Sequence, residues 1–232
     1  MKQLLQSLEH FAGLHIDLLA FVLCAGILIC YHMFLRVKLR QHPTYTVQAL
    51  NNLARTAWVE TVMAERRDIL AVQTLRNSTM AASFLASTAV LLIIGVLSLS
   101  AQGDKLGDAW HILNLFGTKE PALWLAKLLL MTADLFVAFF SFSLSIRVYN
   151  HVGYLINVPL TAGHRAISPA HVAEFLNSGG RYYSMGQRAF YIIVPLVFWL
   201  FGPHFMVIAT IGLLMVLYKI DRAPRALETD YR

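Results

Sequence analysis

The sequence predicts an all-α integral membrane protein: a helical bundle of four or five transmembrane helices, with helices 2 and 3 extended into the cytoplasm. The first observation is composition. Hydrophobic residues make up 57% of the 232 residues and charged residues 14%, whereas soluble domains average about 45–50% and about 25%. The second is the stretch from Thr44 to Ile94, which contains no glycine or proline. It is polar first and apolar last, as expected of a helix that begins in water and ends in a bilayer.

The first transmembrane helix is predicted over residues 14–35. Both cysteines, Cys24 and Cys30, fall inside it, so they indicate no disulfide framework. Basic residues follow the segment directly: Arg36, Lys38 and Arg40. This order predicts an uncleaved anchor with the N-terminus outside the cell, because basic flanks stay in the cytoplasm.

The second predicted element is one long helix over residues 44–100, capped by Thr44 or Thr46, whose transmembrane part covers 79–100. Glycines and polar residues then predict an external loop from about Asp104 to Lys119. Pro121 begins a third transmembrane helix over 121–157, which also outlasts the bilayer. The two extensions, Thr44 to Asn77 and Arg147 to Asn157, are expected to form a cytoplasmic hairpin.

The last third of the chain predicts a cytoplasmic helix and then one or two spans. Ser168 is the expected cap and Pro169 the first helical residue, with a stop at the Asn177–Gly180 segment. Residues 184–201 and 203–220 are predicted as two spans broken at Gly202 and Pro203, or as one kinked helix. The whole of 1–232 is taken as a single membrane domain.

Charge distribution predicts partners and location. Lys and Arg number 19 against 13 acids, but the basic residues flank apolar segments. This indicates the lipid bilayer as a partner, and no nucleic acid. A multi-pass protein of the bacterial inner membrane, with the main basic loops in the cytoplasm, is the resulting expectation.

Three segments also resemble a known family. They are LRNSTMAASFLASTAVLL, ALWLAKLLLMTADLFVAFFSFSLSIRVYN and WLFGPHFMVIATIGLLMVLYKID. The chain is similar over about 20–221 to the uncharacterised membrane family called domain of unknown function 599, found in bacteria and plants. The resemblance implies a helical multi-pass protein and supplies no activity, substrate or catalytic residue.

One acid stands near the middle of the third apolar segment. Asp134 shares a helical face with Lys127, Ser141 and Ser145, which predicts a polar intramembrane stripe. Asp134 is interpreted either as part of an ion or proton path or as a structural acid bonded to Ser87 or Thr88.

Small residues recur at a spacing of four in the second transmembrane helix. Two rows are predicted to pack against another helix or another subunit: Thr79, Ser83 and Ser87, with Ala82 and Ala86 beside them. Self-association is therefore expected, and a protein partner at the cytoplasmic hairpin is a further possibility.

No enzyme, metal site or cofactor is predicted. No metal-ligand spacing, phosphate-binding glycine loop or nucleophile motif is present in the sequence. Two functions remain open: a homo-oligomeric channel- or transport-like assembly along the Asp134 stripe, and a non-catalytic scaffold or accessory subunit that docks a partner through the hairpin.

Overall fold

The computed structural model describes the backbone of residues 2–101, 120–160 and 167–223, and side chains from Gly13 onward within those ranges. The regular elements of this part of the chain are all helices, and it contains no strand. Its helices are α1 (Lys2–Gln41), α2 (Val47–Glu65), α3 (Asp68–Ala101), α4 (Pro121–Leu155), α5 (Pro169–Trp199) and α6 (Pro203–Asp221). The all-helical fold class is confirmed.

Among the described residues, four helices are long and apolar enough to cross a membrane: α1 from Gly13 to Gln41, α3, α4 and α6. Lengths of 19 to 35 residues match the roughly 20 residues that a helix needs to cross about 30 Å of hydrocarbon. The amphipathic α2 and the more polar α5 are not among them. These four helices therefore indicate a multi-pass membrane protein.

The predicted continuous helix over 44–100 is wrong in one respect, because the structure divides it at Arg66. Thr46 caps α2, its hydroxyl accepting a hydrogen bond from the backbone N–H of Ala49 at 3.2 Å. Arg66 adopts the left-handed conformation, with φ 55° and ψ 43°, and the backbone N–H groups of Arg66 and Arg67 both bond to the carbonyl oxygen of Val62.

Packing supplies the physical reason for this turn. A straight helix would hold Val62 and Leu75 about 20 Å apart along its axis. In the structure both residues are buried in the same apolar cluster, together with Val59, Ala71 and Val152. Burying both faces compensates for a backbone conformation that costs a non-glycine residue of the order of 1 kcal/mol.

The predicted helix stop at the Asn177–Gly180 segment is also wrong. Ser168 and Pro169 begin α5 as expected, with the N–H of His171 bonded to the Ser168 hydroxyl at 3.3 Å. The helix then continues through both glycines to Trp199. Glycine is needed inside this helix because a Cβ at Gly179 would lie 2.8 Å from the ring of Tyr149.

The chain leaves helical geometry between α5 and α6. Leu200, Phe201 and Gly202 each donate a backbone hydrogen bond to the carbonyl oxygen three residues earlier, at 3.1–3.2 Å. Gly202 has φ 143°, a conformation that side-chain-bearing residues rarely adopt, and Pro203 begins α6.

Two compact units make up the molecule. Unit 1 comprises the described parts of Met1–His42, Leu92–Leu135 and Phe190–Arg222, and unit 2 those of Pro43–Leu91, Phe136–Ala189 and Ala223–Arg232. Each has its own apolar core. The predicted external loop from Asp104 to Lys119 lies outside the described residues.

Candidate functional site

A buried ion pair in unit 1 joins three helices. Asp17 of α1 and Lys127 of α4 have side-chain exposures of 0% and 5%, and their Oδ1 and Nζ atoms are 2.9 Å apart. The indole N–H of Trp199, at the end of α5, donates to the same Oδ1 atom at 2.7 Å. One carboxylate oxygen therefore accepts bonds from two helices other than its own.

Each partner of the ammonium group offsets part of its desolvation. Lys127 Nζ also donates to the carbonyl oxygen of Trp199 at 3.2 Å and lies 4.9 Å from the centroid of its ring. Phe21 stacks on the same Trp199 side chain, with ring centroids 5.1 Å apart and planes inclined by 16°. A buried pair is tolerated only when its remaining hydrogen-bonding capacity is satisfied in this way. The cluster Asp17–Lys127–Trp199 thus connects three helices through buried polar groups that satisfy one another.

Sequence reasoning found Lys127 but missed its partner. Asp17 is the one residue with a formal charge between residues 14 and 35. An acid inside an apolar span requires a counter-charge at similar depth. Pairing this acid with the lysine of the third apolar segment was therefore possible on charge alone, although 110 residues separate them.

Asp134 lies two turns beyond Lys127 on α4 and has a different environment. Its side chain is half-buried, and its Oδ2 atom is buried without a hydrogen-bond partner among the residues that the structure describes. Thr88, one of the two partners predicted for it, donates its hydroxyl hydrogen to the carbonyl oxygen of Phe84 in its own helix, at 2.9 Å. Asp134 therefore retains the capacity to accept a hydrogen bond or a cation.

The two serines of the predicted stripe belong to unit 2, and both are buried. Ser145 donates to the carbonyl oxygen of Gly179 at 3.0 Å, which links α4 to α5. Three of the four stripe residues consequently differ in role: Lys127 is in the ion pair, Ser145 is an interhelical donor, and the Oδ2 atom of Asp134 has no described partner.

The two predicted rows of small residues on α3 are unequally buried. Ala82 and Ala86 are buried, as is Ala89 one turn further on. Thr79 and Ser83 are half-buried and Ser87 is exposed. Within the chain, then, the alanine row is the more deeply buried of the two.

No group of three or more His, Cys, Asp or Glu side chains that could hold a metal ion occurs in the described ranges. Of the histidines, His32 bonds through Nδ1 to the carbonyl oxygen of Leu28 at 2.8 Å, and His151 contacts the ring of Phe175. Both histidine side chains therefore have partners within the chain.

Comparison with known proteins identifies the family of the chain. The chain matches the family described as "Protein of unknown function, DUF599" over residues 19–226. No curated protein and no solved structure gives a significant match. Since the match extends over nearly the whole chain and overlaps all four span candidates, the chain belongs to the DUF599 family.

Proposed function

We propose that this protein forms a homo-oligomeric, channel- or transport-like assembly in a bacterial inner membrane, and that Asp134 takes up and releases a proton or a small cation on its path. The observation that carries the proposal is the buried Oδ2 atom of Asp134, which has no hydrogen-bond partner among the described residues. A carboxyl group in a membrane span is costly unless protein, water or an ion satisfies it, and such residues commonly mark transport paths.

The contrast with the neighbouring acid supports this assignment. Asp17 is fully buried and bonded to Lys127 and Trp199, so both charges of that pair are satisfied inside the protein. Loss of such a pair would disturb the fold before it disturbed transport. Among the described acids of the span candidates, Asp134 is the one whose chemistry calls for a partner from outside the chain.

The proposed orientation follows from the charges. With the N-terminus outside and the segments 36–78 and 148–188 in the cytoplasm, most basic residues lie on the inner side of the membrane. In this arrangement α2 and the adjoining ends of α3 and α4 form the cytoplasmic extension, and their shared apolar cluster supports that part of the proposal.

Self-association is part of the same proposal. The half-buried Thr79 and Ser83 and the exposed Ser87 leave the second small-residue row available for a close helix contact with another copy. Between them, Met80 and Phe84 are 62% and 73% exposed, which supplies apolar surface around the row.

A flux assay in proteoliposomes tests the proposal. The purified full chain should conduct protons or a monovalent cation above protein-free liposomes, and Asp134→Asn should abolish most of that flux while keeping size and folding. Thr132→Val is the matched control, because the buried Thr132 hydroxyl bonds to Leu128 of its own helix at 2.8 Å. Equal flux in Asp134→Asn and in the unmodified chain would contradict the proposal.

The second candidate function is a scaffold or accessory subunit that docks a partner through the predicted hairpin. It is favoured by α2, which is not a span candidate yet leaves Leu53 55% exposed on the face away from Val59 and Val62. The same assay separates the two functions: a folded protein that gives no flux in any ion gradient supports the scaffold.

A further inference from the structure

A cavity of about 490 Å³ lies in unit 2, bounded by residues of α2, α3, α4 and α5. Its volume falls in the range of small-molecule sites, about 300–1,000 Å³. The lining combines apolar surface, from residues such as Trp58, Leu75 and Leu176, with a few polar groups, from Asn51, Arg55 and Ser78. This combination is typical of a binding site in which one polar group orients an otherwise apolar ligand.

Arg55 gives the cavity its charge. It is the one charged residue among the described residues that line it. The guanidinium donates to Oδ1 of Asn52, which lies one turn earlier in α2, at 3.2 Å. It forms no salt bridge with any described carboxylate. A guanidinium has five N–H donors, and a single amide oxygen uses few of them.

The backbone of α5 determines where this guanidinium lies. A Cβ at Gly180 would overlap the Nη1 and Cζ atoms of Arg55, so the glycine is what allows the charged group to lie against the helix. Asn177, one turn earlier, holds the two helices together by donating to the Thr56 hydroxyl at 3.2 Å. The half-buried arginine is therefore confined at the cavity wall and does not extend freely into solvent.

We propose that this cavity binds an anionic headgroup, a phosphate or a carboxylate, carried on an apolar body. Arg55 pairs with the anion through its planar fork, which matches both groups geometrically. Trp58, Leu75 and Leu176 contact the apolar part. The ligand is either a membrane phospholipid or a soluble amphiphilic anion, since both present the same chemistry. The inference concerns unit 2 and does not depend on the role of Asp134.

Native mass spectrometry of the full chain in mild detergent tests the site with three probes: dioleoyl phosphatidylglycerol, octyl phosphate and the zwitterionic dioleoyl phosphatidylcholine. At least one anionic probe should bind saturably at one site per chain and more tightly than phosphatidylcholine. Tighter binding of phosphatidylglycerol than of octyl phosphate identifies a lipid source, and the reverse order a soluble amphiphile. Failure of both anionic probes to bind more tightly than phosphatidylcholine would overturn the proposal.

Substitutions locate the site. Arg55→Gln should weaken the tighter anionic probe by about tenfold or more, the effect of losing a charge-assisted hydrogen bond, and Arg55→Lys should weaken it less. The matched control is Arg76→Gln, which removes an exposed α3 charge that does not line the cavity. Equal effects of Arg55→Gln and Arg76→Gln would overturn the assignment.

A second pair of variants keeps the arginine in place. Gly180→Ala should weaken the same probe because the added Cβ displaces the guanidinium, whereas Gly153→Ala adds a methyl group into open space and should leave binding unchanged. If circular dichroism shows both alanine variants to be folded and they bind equally well, the wall position of Arg55 is not what recognises the anion.

Discussion

The two units hold their helices together by different means. In unit 1 a buried ion pair with an aromatic partner connects three helices at one point, through Asp17, Lys127 and Trp199. In unit 2 the helices approach closely at glycines and exchange neutral hydrogen bonds. There the ring of Tyr149 packs where Gly179 has no side chain, and Ser145 donates to that glycine's carbonyl oxygen.

The two kinds of contact differ in the stability that is lost when one of them is removed. A buried charge stripped of its partner cannot be solvated in an apolar core, so the penalty is large and local. A contact at a glycine is steric and involves no charge. A neutral hydrogen bond contributes little net free energy, because its donor and acceptor find other partners when the bond is broken. Unit 1 should therefore be sensitive to single substitutions at one point, and unit 2 to smaller changes at many.

The largest effect is expected from Lys127→Met. It leaves the Asp17 carboxylate, with 0% side-chain exposure, without its counter-charge, which should lower the free energy of unfolding by about 3–5 kcal/mol. Reversible unfolding of the full chain in mixed micelles measures it. The double variant with Asp17→Leu should recover much of the loss, because no unpaired charge remains. A double-variant loss equal to the sum of the losses in Lys127→Met and Asp17→Leu alone would show that the pair is not coupled.

A smaller effect is expected from Gly186→Ala in unit 2. The added Cβ would lie 2.7 Å from the ring of the buried Phe142, and overpacking of this kind costs about 1–3 kcal/mol. The same unfolding measurement applies. Gly153→Ala on α4 is the matched control, since its Cβ meets nothing within 4 Å, and it should be neutral or stabilising by up to about 1 kcal/mol. Equal stabilities of the two variants would contradict the close contact.

The smallest effect is expected from Ser145→Ala. It removes the 3.0 Å hydrogen bond to the carbonyl oxygen of Gly179, with a net cost of about 0.5–1.5 kcal/mol. Ser178→Ala on α5 is the control, because that exposed hydroxyl bonds only within its own helix, to Phe175. A loss in Ser145→Ala no greater than in Ser178→Ala would mean that this interhelical bond contributes nothing measurable.

Local signals predicted most helix beginnings. Three helices begin where capping chemistry predicts: after Thr46, at Ser168 with Pro169, and at Pro121. The ends were less predictable. Arg66 adopts a left-handed conformation that glycine usually supplies, so nothing in the local sequence signalled a turn there.

The candidate site was only partly accessible from the sequence. Asp134 and Lys127 were singled out because charges are rare in apolar segments. Their different environments were not apparent, since spacing along one helix gives only the shared face and not what lies opposite it. The cavity beside Arg55 was missed for the same reason: it is lined by residues of four helices.

The sequence by itself determined the all-helical class, the family and four of its five predicted spans, because apolar length, proline and capping residues are properties of contiguous residues. The predicted span over 184–201 lies in α5, which is not a span candidate. Only the tertiary structure decided which faces of those helices are buried. On α4, Leu128 is buried and Leu129 is 59% exposed, and buried residues recur at spacings of three and four along the helix: Trp124, Leu128, Met131, Leu135, Ala138, Phe142, Ser145, Tyr149 and Val152. A helix that is apolar on every side carries no amphipathic signal, because lipid accepts the same side chains as a protein core does. The inward face of α4 is therefore set by its contacts with other helices, such as the pairing of Asp17 with Lys127 across 110 residues.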